Sequence, residues 1–176
     1  FYDINNKSLK NLMVGGEKLK TLKNSPRYRI TNVYGPTEAT VQSTTFIVQN
    51  DNNPVPIGKP IHNVKCYVTD KNLNLLPVGA VGELWIGGEG LARSYLGKPT
   101  LTAEKFIPNP FQTVEEKYQQ CNSRIYKTGD LVCWRPDGNL EYVGRSDSQI
   151  KIRGYRIEPA EIEHQIRRYP GIRQAF

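Results

Sequence analysis

The stretch DLVCWRPDGNLEYVGR, residues 130–145, decides the fold of this 176-residue chain. Apolar and polar residues alternate on both sides of a Pro-Asp-Gly-Asn turn at 136–139, which predicts two antiparallel strands joined as a hairpin. The surrounding sequence from 55 to 144 holds further short strand patterns, separated at regular intervals by glycine and proline. Such punctuation between many short strands is typical of a small β-barrel. We therefore expect residues 51–145 to form a small, distorted β-barrel subdomain.

Individual segments of this region have their own signatures. VKCYVTD at 64–70 and LNLLPVGAVGELWIGG at 73–88 predict strands, the latter around a Pro-Val-Gly turn. LARSYLG at 91–97 and TAEKFI at 102–107 predict short helical pieces. EEKYQQCNS at 115–123 is polar and predicts a surface insertion.

The first fifty residues predict the end of an α/β subdomain, 1–50. LMV at 12–14 and RYRITNV at 27–33 predict strands, and GEKLKTLKN at 16–24 between them has the apolar spacing of a helix. VQSTTFIVQ at 41–49 is rich in β-branched residues and predicts a third strand. The polar segment NDNNP then marks a subdomain boundary.

The pattern restarts after the hairpin at 130–145. IKIRGYRIE at 150–158 alternates about a central glycine and predicts a tight strand pair, whereas EPAEIEHQIRR at 158–168 predicts a helix with proline at its first position. GIRQAF at 171–176 predicts the beginning of another strand. Residues 146–176 are too few to close a core, so we expect a hinge and a truncated lid. The chain as a whole is predicted to be an α+β piece of a longer protein, cut at both ends.

Composition excludes several classes of protein. Hydrophobic residues make up 38% of the chain and are spread along its length, which suffices for a packed core. The apolar runs are too short to span a membrane, and the N-terminus lacks the pattern of a signal peptide. Three widely spaced cysteines and two histidines form no zinc-type spacing and no disulfide frame. This usage favours a reducing, cytoplasmic compartment.

The net charge of +7 has more than one interpretation. A nucleic-acid site would need a dense basic face with interleaved aromatics. The longest basic cluster, KIRGYR at 151–156, already alternates as a strand. Solvated basic faces, or a site for a phosphate-bearing small molecule, explain the charge more simply. We therefore expect no nucleic-acid partner and no membrane contact.

The segment NVYGPTEAT at 32–40 holds three chemical groups beside a stiff Gly-Pro turn. Tyr34 can offer a flat π face to a base, and Thr37 can offer a hydroxyl to a phosphate oxygen. Glu38 can hold Mg²⁺, which commonly binds one or two carboxylates together with substrate phosphates. The alternative is a surface turn with Tyr34 in the core. Composition alone favours that plain turn, because Gly-Pro turns are common.

Four other positions have a functional and a structural interpretation. Gly15 and Gly16 end a predicted strand, where a ligand can approach the backbone or an ordinary β–α turn can form. Asp130 can accept from two vicinal ribose hydroxyls or cap a turn. Arg145 can bind phosphate with two donors or lie solvated at a strand edge. Taken singly, the glycines and Asp130 favour the structural interpretation.

The order and combination of four motifs carry a family resemblance. They are NVYGPTE at 32–38, GELWIGGEGLARSYLGKPTLTAEKF at 82–106, YKTGDLVCWRPDGNLEYVGR at 126–145 and QIKIRGYRIEPAEIE at 149–163. Together they resemble the adenylation domains of nonribosomal peptide synthetases, within the adenylate-forming superfamily. The resemblance implies that an amino acid attacks the α-phosphate of ATP, giving an aminoacyl-adenylate and pyrophosphate. It also implies transfer of the aminoacyl group to the phosphopantetheine thiol of a peptidyl carrier protein, beside other synthetase domains.

The resemblance implies roles for residues at the predicted nucleotide site. Tyr34 would stack on adenine, and Thr37 would contact the α-phosphate of ATP. Glu38 would hold Mg²⁺. Asp130 would grip the ribose hydroxyls, and Arg145 would assist at the ribose or phosphate.

The resemblance also implies roles outside the nucleotide turn. Gly15 and Gly16 would be the strand-end backbone that approaches substrate and adenine. Asp147 would be the hinge of a mobile lid, and the hairpin around Gly154 would line the thiol tunnel after the lid rotates. Five positions match those that line the amino-acid side-chain pocket: Leu12, Val14, Val33, Val41 and Gln42.

Several parts of the family pattern have no match in these 176 residues. They are the Ser/Thr/Gly-rich phosphate loop, the aspartate for the substrate amino group, and the lysine that stabilises charge developing in adenylation. We therefore expect the chain by itself not to adenylate. An acyl-CoA synthetase fragment is the alternative within the superfamily, but SDSQIKIRGYRIE at 146–158 favours amino-acid activation. An independent basic β-barrel that binds nucleic acid is the alternative from another class.

Overall fold

The computed structural model describes residues 8–19, 27–49, 54–152 and 154–174. The strands are β1 Asn11–Val14, β2 Arg29–Tyr34, β3 Thr44–Ile47, β4 Lys59–Pro60, β5 Val64–Thr69, β6 Gly82–Gly88, β7 Phe106–Pro108, β8 Arg124–Trp134, β9 Leu140–Arg145, β10 Ile150–Ile152 and β11 Tyr155–Ile157. The helices are α1 Pro99–Lys105, α2 Val114–Tyr118 and α3 Pro159–Arg167, with a 3-10 turn at Thr37–Ala39. The fold is α+β and dominated by strands, as predicted.

The first sheet has the order β1-β2-β3-β4. β1 runs parallel to β2, whereas β3 and β4 continue the sheet in antiparallel pairs. Successive side chains of a strand point to opposite faces, and β2 accordingly buries Ile30, Asn32 and Tyr34. The three strands predicted in the first fifty residues are confirmed.

The second sheet has the order β5-β6-β8-β7, and β9 also pairs with β8. The 11-residue β8 pairs with β7 through its first residues and with β9 through its last, so the predicted hairpin is confirmed. Because β7 and β9 share one edge of β8, the sheet is only four strands wide at any level. Register shifts at 83/85 and 131/132 bend it. Within the described residues the strands form an open, bent sheet, where a distorted barrel was predicted.

A hydrophobic core joins the two sheets. The Ile57 N–H donates to the Leu140 carbonyl at 2.8 Å, and the Leu140 N–H donates to the Gly58 carbonyl at 2.8 Å. Gly58 has φ +92°, and a Cβ there would lie 2.0 Å from the Thr45 carbonyl oxygen, so only glycine permits this approach. The core residues are Tyr34, Ala39, Ile57, Val68, Leu84, Ile86, Val132 and Leu140. The turn after Tyr34 is therefore packed directly against the β8–β9 hairpin.

Two short helices were predicted between β6 and β8, and the structure differs at both. Residues 91–97 are not helical, because the Arg124 guanidinium donates hydrogen bonds to the carbonyl oxygens of Ala92 and Arg93, at 3.0 and 2.8 Å. The helix in the next segment is α1, which ends before Phe106, where β7 begins. The predicted surface insertion contains α2, which starts with a capping box between Thr113 and Glu116.

Two further local predictions, at 16–24 and 171–176, extend beyond the described residues. The helix predicted at 16–24 is absent over 16–19, and 20–24 lie outside the described residues. The strand predicted at 171–176 is absent over 171–174, and 175–176 also lie outside the described part.

The last unit consists of the β10–β11 hairpin and α3, both as predicted. Pro159 is the first residue of α3, where its fixed φ suits a helix start. The hairpin contacts the segment that follows β1, because the Gly154 N–H donates to Glu17 Oε1 at 2.6 Å. In the part of the chain that the structure describes, the helices are too short and too polar to cross a membrane.

Candidate functional site: two cavities at one turn

The Gly-Pro turn after β2 separates Tyr34 from Glu38. Pro36 is extended, with φ −76° and ψ 159°, and its carbonyl accepts from the Ala39 N–H at 3.0 Å. A Cβ on Gly35 would lie 2.6 Å from the Val41 carbonyl oxygen, so position 35 accommodates only glycine. The chain therefore turns sharply, and Tyr34 and Glu38 line different cavities.

Asp130 is the centre of a buried chain of hydrogen bonds. It is 3% exposed, and the register of the β8–β9 hairpin places it opposite Arg145. Arg145 Nη1 donates to Asp130 Oδ1 at 2.7 Å, and the Tyr34 hydroxyl donates to Oδ2. Burial, reinforced by the Asp130 carboxylate, raises the pKa of Tyr34 well above its ordinary value. Tyr34 therefore remains a protonated donor, and the predicted Tyr34, Asp130 and Arg145 lie together.

Asp147, the predicted hinge residue, extends the same chain. Arg145 holds it with two hydrogen bonds, Nε to Oδ1 at 2.7 Å and Nη2 to Oδ2 at 2.6 Å. Burial would raise the pKa of Asp147, but the Arg145 guanidinium outweighs it and the pKa is lowered. The Ser146 N–H also donates to the Gly129 carbonyl at 2.9 Å. In this arrangement the hinge segment is tied to β8, and its rotation stays a prediction.

Glu38 forms a second buried cluster, in which both donors use one oxygen. The side chain is 7% exposed. The Tyr95 hydroxyl donates to Oε1 at 2.6 Å, and Arg156 Nη1 donates to the same oxygen at 2.7 Å. Oε2 is buried and has no hydrogen-bond partner. Burial would raise the pKa of Glu38, but the hydrogen bonds from Tyr95 and Arg156 outweigh it and lower the pKa.

Two cavities flank the turn, and both have volumes typical of small-molecule sites. The first measures about 360 Å³, and its lining includes Gly16, Asn32, Val33, Tyr34, Tyr142 and Lys151. The second measures about 650 Å³, and its lining includes Thr37, Glu38, Tyr95, Lys98, Lys105 and Arg156. The first cavity offers aromatic and apolar surface, with Glu17, Lys18 and Lys151 also in its lining. The second is lined by three basic groups, Lys98, Lys105 and Arg156, and by three carboxylates, Glu38, Asp147 and Glu158. A ligand with a flat ring at one end and phosphates at the other matches this pair.

The two predicted glycines occupy different environments. A Cβ on Gly15 would lie 2.4 Å from the Val33 carbonyl oxygen, so Gly15 allows β1 to end closely against β2. Gly16 has φ +93°, lines the first cavity and lies beside Gly154 of the β10–β11 hairpin. Close approach of a ligand stays a prediction for both glycines.

The five predicted pocket positions lie in separate places. Leu12 and Val14 pack against the small core beside β2, and Val33 lines the first cavity. Val41 is 72% exposed, and Gln42 is half-buried. Their shared role in an amino-acid pocket stays a prediction.

Comparison with known proteins now decides the family. A family model described as "AMP-binding enzyme" matches residues 2–96, more than half of the chain. The chain belongs to the AMP-binding enzyme family. The Gly-Pro turn after β2 and the first cavity lie inside the matched range, apart from Tyr142 and Lys151 among the lining residues named above.

The relatives of this AMP-binding enzyme chain include very large synthases. Bacitracin synthase 1 of Bacillus licheniformis is 51% identical over 175 residues, which is 99% of this chain and 3% of that protein. Tyrocidine synthase 3 of Brevibacillus parabrevis is 50% identical over 173 residues, which is 95% of this chain and 2% of that protein. The chain thus spans only a few per cent of the length of these relatives.

Solved structures agree with this AMP-binding enzyme assignment. A holo NRPS protein containing adenylation and PCP domains, bound to a vinylsulfonamide inhibitor, superposes with a TM-score of 0.83 at 30% identity, over 96% of this chain and 30% of that one. An artificially fused adenylation–PCP di-domain from Klebsiella oxytoca superposes with a TM-score of 0.74 at 31% identity, over 94% of this chain and 31% of that one.

The sequence patterns did not indicate that Tyr95 and Arg156 would contact Glu38. They lie 57 and 118 positions from Glu38 along the chain, so only the folded structure brings them to its carboxylate. A signal existed for each, since Tyr95 lies within the second resemblance motif and Arg156 within the longest basic cluster. Lys98 and Lys105 in the second cavity were missed in the same way.

AMP-binding enzymes use ATP or AMP, and the Glu38 cluster fits an accompanying Mg²⁺. The fit rests on Glu38 Oε2, a buried and ionised carboxylate oxygen without a partner. Within the described ranges, no group of three or more His, Cys, Asp or Glu side chains could hold a metal ion. A single protein carboxylate, completed by substrate phosphates and water, is a common way to hold Mg²⁺.

Proposed function

We propose that this chain contributes the nucleotide site of an adenylation domain that activates an amino acid with ATP and transfers it to a carrier protein. The observation that carries the proposal is the turn between Tyr34 and Glu38, which adjoins a cavity with aromatic surface on one side and a cavity lined by basic and acidic side chains on the other. ATP has the complementary polarity, with a flat base at one end and phosphates at the other.

The base and ribose are assigned to the first cavity. Tyr34 packs into the core and also lines this cavity, so its ring can present one face to adenine. Gly16, without a side chain, leaves its backbone open to the same space. A carboxylate has about four lone-pair sites, and Tyr34 and Arg145 donate to Asp130 at one site on each oxygen. We assign the remaining sites to the ribose hydroxyls on the family resemblance alone, since Asp130 is not among the residues that line the first cavity.

The phosphates are assigned to the second cavity. Thr37 is exposed there and offers its hydroxyl to the α-phosphate. Lys98 and Lys105 supply positive charge, and Glu38 would hold Mg²⁺ through Oε2. Mg²⁺, when bound, neutralises phosphate charge and polarises the phosphoryl oxygens.

Amino-acid activation and carrier loading are proposed from the relatives. Those named above are bacitracin and tyrocidine synthases, and two matched structures contain adenylation and PCP domains. We propose that Leu12, Val14, Val33, Val41 and Gln42 belong to the amino-acid pocket of the complete domain. The proposed units are 1–50, 51–145 and 146–176, with Asp147 as the hinge and the cytoplasm as the compartment.

Ligand fragments test the assignment of the two cavities. Amide NMR shifts of the 176-residue chain are followed while adenosine, AMP or Mg²⁺-pyrophosphate is added. Adenosine should shift Gly16 and Val33, pyrophosphate should shift Thr37 and Glu38, and AMP should shift both sets. If adenosine shifted the amide signals of neither set of residues, the proposal would be contradicted.

A matched pair of threonine variants sharpens this test. Thr37→Val removes a hydroxyl from the second cavity. It should weaken the binding of AMP and leave the binding of adenosine unchanged. Thr100→Val, at an exposed position of α1, should change neither. Amino-acid-dependent pyrophosphate exchange is expected from the complete adenylation domain and not from the 176 residues alone.

A further inference from the structure

The free oxygen of Glu38 raises the question of what keeps it free. A carboxylate can rotate about its last bond, and a buried polar atom without a partner is costly. Glu38 nevertheless keeps Oε2 unpartnered, because Tyr95 and Arg156 both donate to Oε1. A neighbouring residue must therefore fix the orientation of the Glu38 carboxylate, so that both donors bind the same oxygen.

We propose that Tyr95 is a positioning residue, whose hydroxyl holds Glu38 Oε1 so that Oε2 is presented to a divalent cation in the second cavity. The inference rests on the proposed function, since it deepens the metal role assigned there to Glu38. Tyr95 itself touches neither the metal nor the substrate in this assignment. It acts through the carboxylate.

Tyr95 is held in place by the body of the protein, independently of the last unit of the chain. Its N–H donates to Thr102 Oγ1 at 3.0 Å, and the Thr102 hydroxyl donates to the Lys98 carbonyl at 2.8 Å, at the start of α1. Its ring meets Phe106 edge-on, with centroids 5.6 Å apart at 65°.

Arg156 uses the same oxygen but differs from Tyr95 in two ways. It carries a positive charge, which repels a cation approaching Glu38. It also lies on β11, where it shares its guanidinium with Glu158 and its side chain is 42% exposed. The two donors at Oε1 should therefore have opposite effects on metal binding. Tyr95 supports it, and Arg156 opposes it.

Metal affinity tests the inference directly. Mn²⁺ bound with α,β-methylene-ATP, which cannot release pyrophosphate, is measured by EPR in the complete adenylation domain. Tyr95→Phe keeps the ring and removes the hydroxyl, and should raise the Mn²⁺ dissociation constant about 10-fold, as loss of an outer-shell partner commonly does. Arg156→Gln should leave the affinity equal or tighter. Glu38→Gln should abolish binding at this site.

Tyr67→Phe is the matched control. Its hydroxyl accepts from Asn109 and Asn122, at 3.3 and 3.0 Å, away from Glu38. The control should bind Mn²⁺ as the unmodified protein does.

A second readout separates positioning from a general structural effect. In pyrophosphate exchange, Tyr95→Phe should need about 10-fold more Mg²⁺ for half-maximal rate and recover its rate at saturating Mg²⁺. A loss of rate that Mg²⁺ does not recover would overturn the assignment of Tyr95.

The outcomes distinguish the inference from the proposed function. If Glu38→Gln loses Mn²⁺ and Tyr95→Phe binds it normally, the inference is wrong and the proposed function stands. If Glu38→Gln binds Mn²⁺ like the unmodified protein, the metal role of Glu38 is wrong and the inference falls with it.

Discussion

Asp130 and Glu38 are two buried carboxylates with the same kinds of partner, one tyrosine and one arginine each. At Asp130 the partners divide the oxygens, since Tyr34 takes Oδ2 and Arg145 takes Oδ1. At Glu38 both partners take Oε1 and Oε2 is left alone. The same kinds of partner thus build two different clusters. In the closed cluster at Asp130 both oxygens accept a hydrogen bond, whereas in the open cluster at Glu38 one oxygen accepts none.

Two similarly buried carboxylates therefore differ in how their hydrogen-bond donors are distributed, and their arginine partners differ in exposure. Arg145 is 11% exposed in its side chain, so it cannot turn to water when Asp130 is lost. Arg156 is 42% exposed in its side chain, so solvent can replace Glu38. Removing the Asp130 carboxylate should therefore destabilise the protein much more than removing the Glu38 carboxylate.

The largest expected effect is the loss of stability on Asp130→Ala. The substitution removes one of the two carboxylates that bind Arg145 and leaves the buried Tyr34 hydroxyl without its acceptor, which together should cost about 3–5 kcal/mol of unfolding free energy. Urea unfolding measures it. Asp137→Ala, in the same hairpin but with a 50% exposed side chain, should lose much less. Equal losses in the two variants would contradict the closed-cluster interpretation.

Gly129→Ala should have the next largest effect, because it strains the backbone of the closed cluster. Gly129 has φ +74°, and an added Cβ would lie 2.6 Å from Asp147 Oδ2 and 2.7 Å from Arg145 Nη2. We expect a loss of about 2–3 kcal/mol in unfolding free energy. Gly79→Ala, with φ +86° and open space around it, isolates the backbone strain, expected at about 1–2 kcal/mol. A loss at Gly129 no larger than that at Gly79 would show that the packing against Arg145 and Asp147 is unimportant.

Protonation of Glu38 at acid pH should reduce the unfolding free energy by a small amount. The pKa of Glu38 is lowered from 4.5 in the folded protein. Its ionised form therefore adds stability above pH 4.5, and that contribution is lost as the pH falls through the lowered folded value. We expect the contribution to be at most about 1 kcal/mol, because the Arg156 side chain is 42% exposed and water screens its charge.

Glu38→Gln provides the control for this pH effect. The difference in unfolding free energy between the unmodified protein and Glu38→Gln should shrink between about pH 6 and about pH 3. A difference that stays constant over this range would mean that the Arg156 contact does not depend on the Glu38 charge.

The smallest expected effect concerns an exposed ion pair of the same chemistry. Arg167 Nη2 lies 3.1 Å from Glu163 Oε2, one turn apart on α3. Because both groups remain solvated, Glu163→Gln should cost only about 0.3–0.5 kcal/mol in thermal or urea unfolding. A loss approaching that of Asp130→Ala would refute burial and partner loss as the cause of the larger effect.

Local sequence patterns predicted the elements that depend on nearest neighbours. The hairpin at 130–145 and the β10–β11 pair follow from alternation about a turn, and α3 follows from Pro159. The pattern at 91–97 predicted a helix wrongly, because Arg124 captures its carbonyls from a distant strand. The predicted barrel is an open sheet because the two neighbours of β8 share one edge, which no local pattern reveals.

The sequence alone was enough to identify the family and the hairpins, because both depend on contiguous motifs. It also predicted a site of Tyr34, Thr37, Glu38, Asp130 and Arg145 through the family resemblance of those motifs. The tertiary structure alone decided that Tyr34 hydrogen-bonds Asp130, 96 positions away, and that Glu38 meets Tyr95 and Arg156. It also decided that the two carboxylates differ, one with both oxygens engaged and one with an oxygen free. The physical reason is that hydrogen-bond partners of buried groups are set by packing between distant segments, which alternation and turn chemistry do not encode.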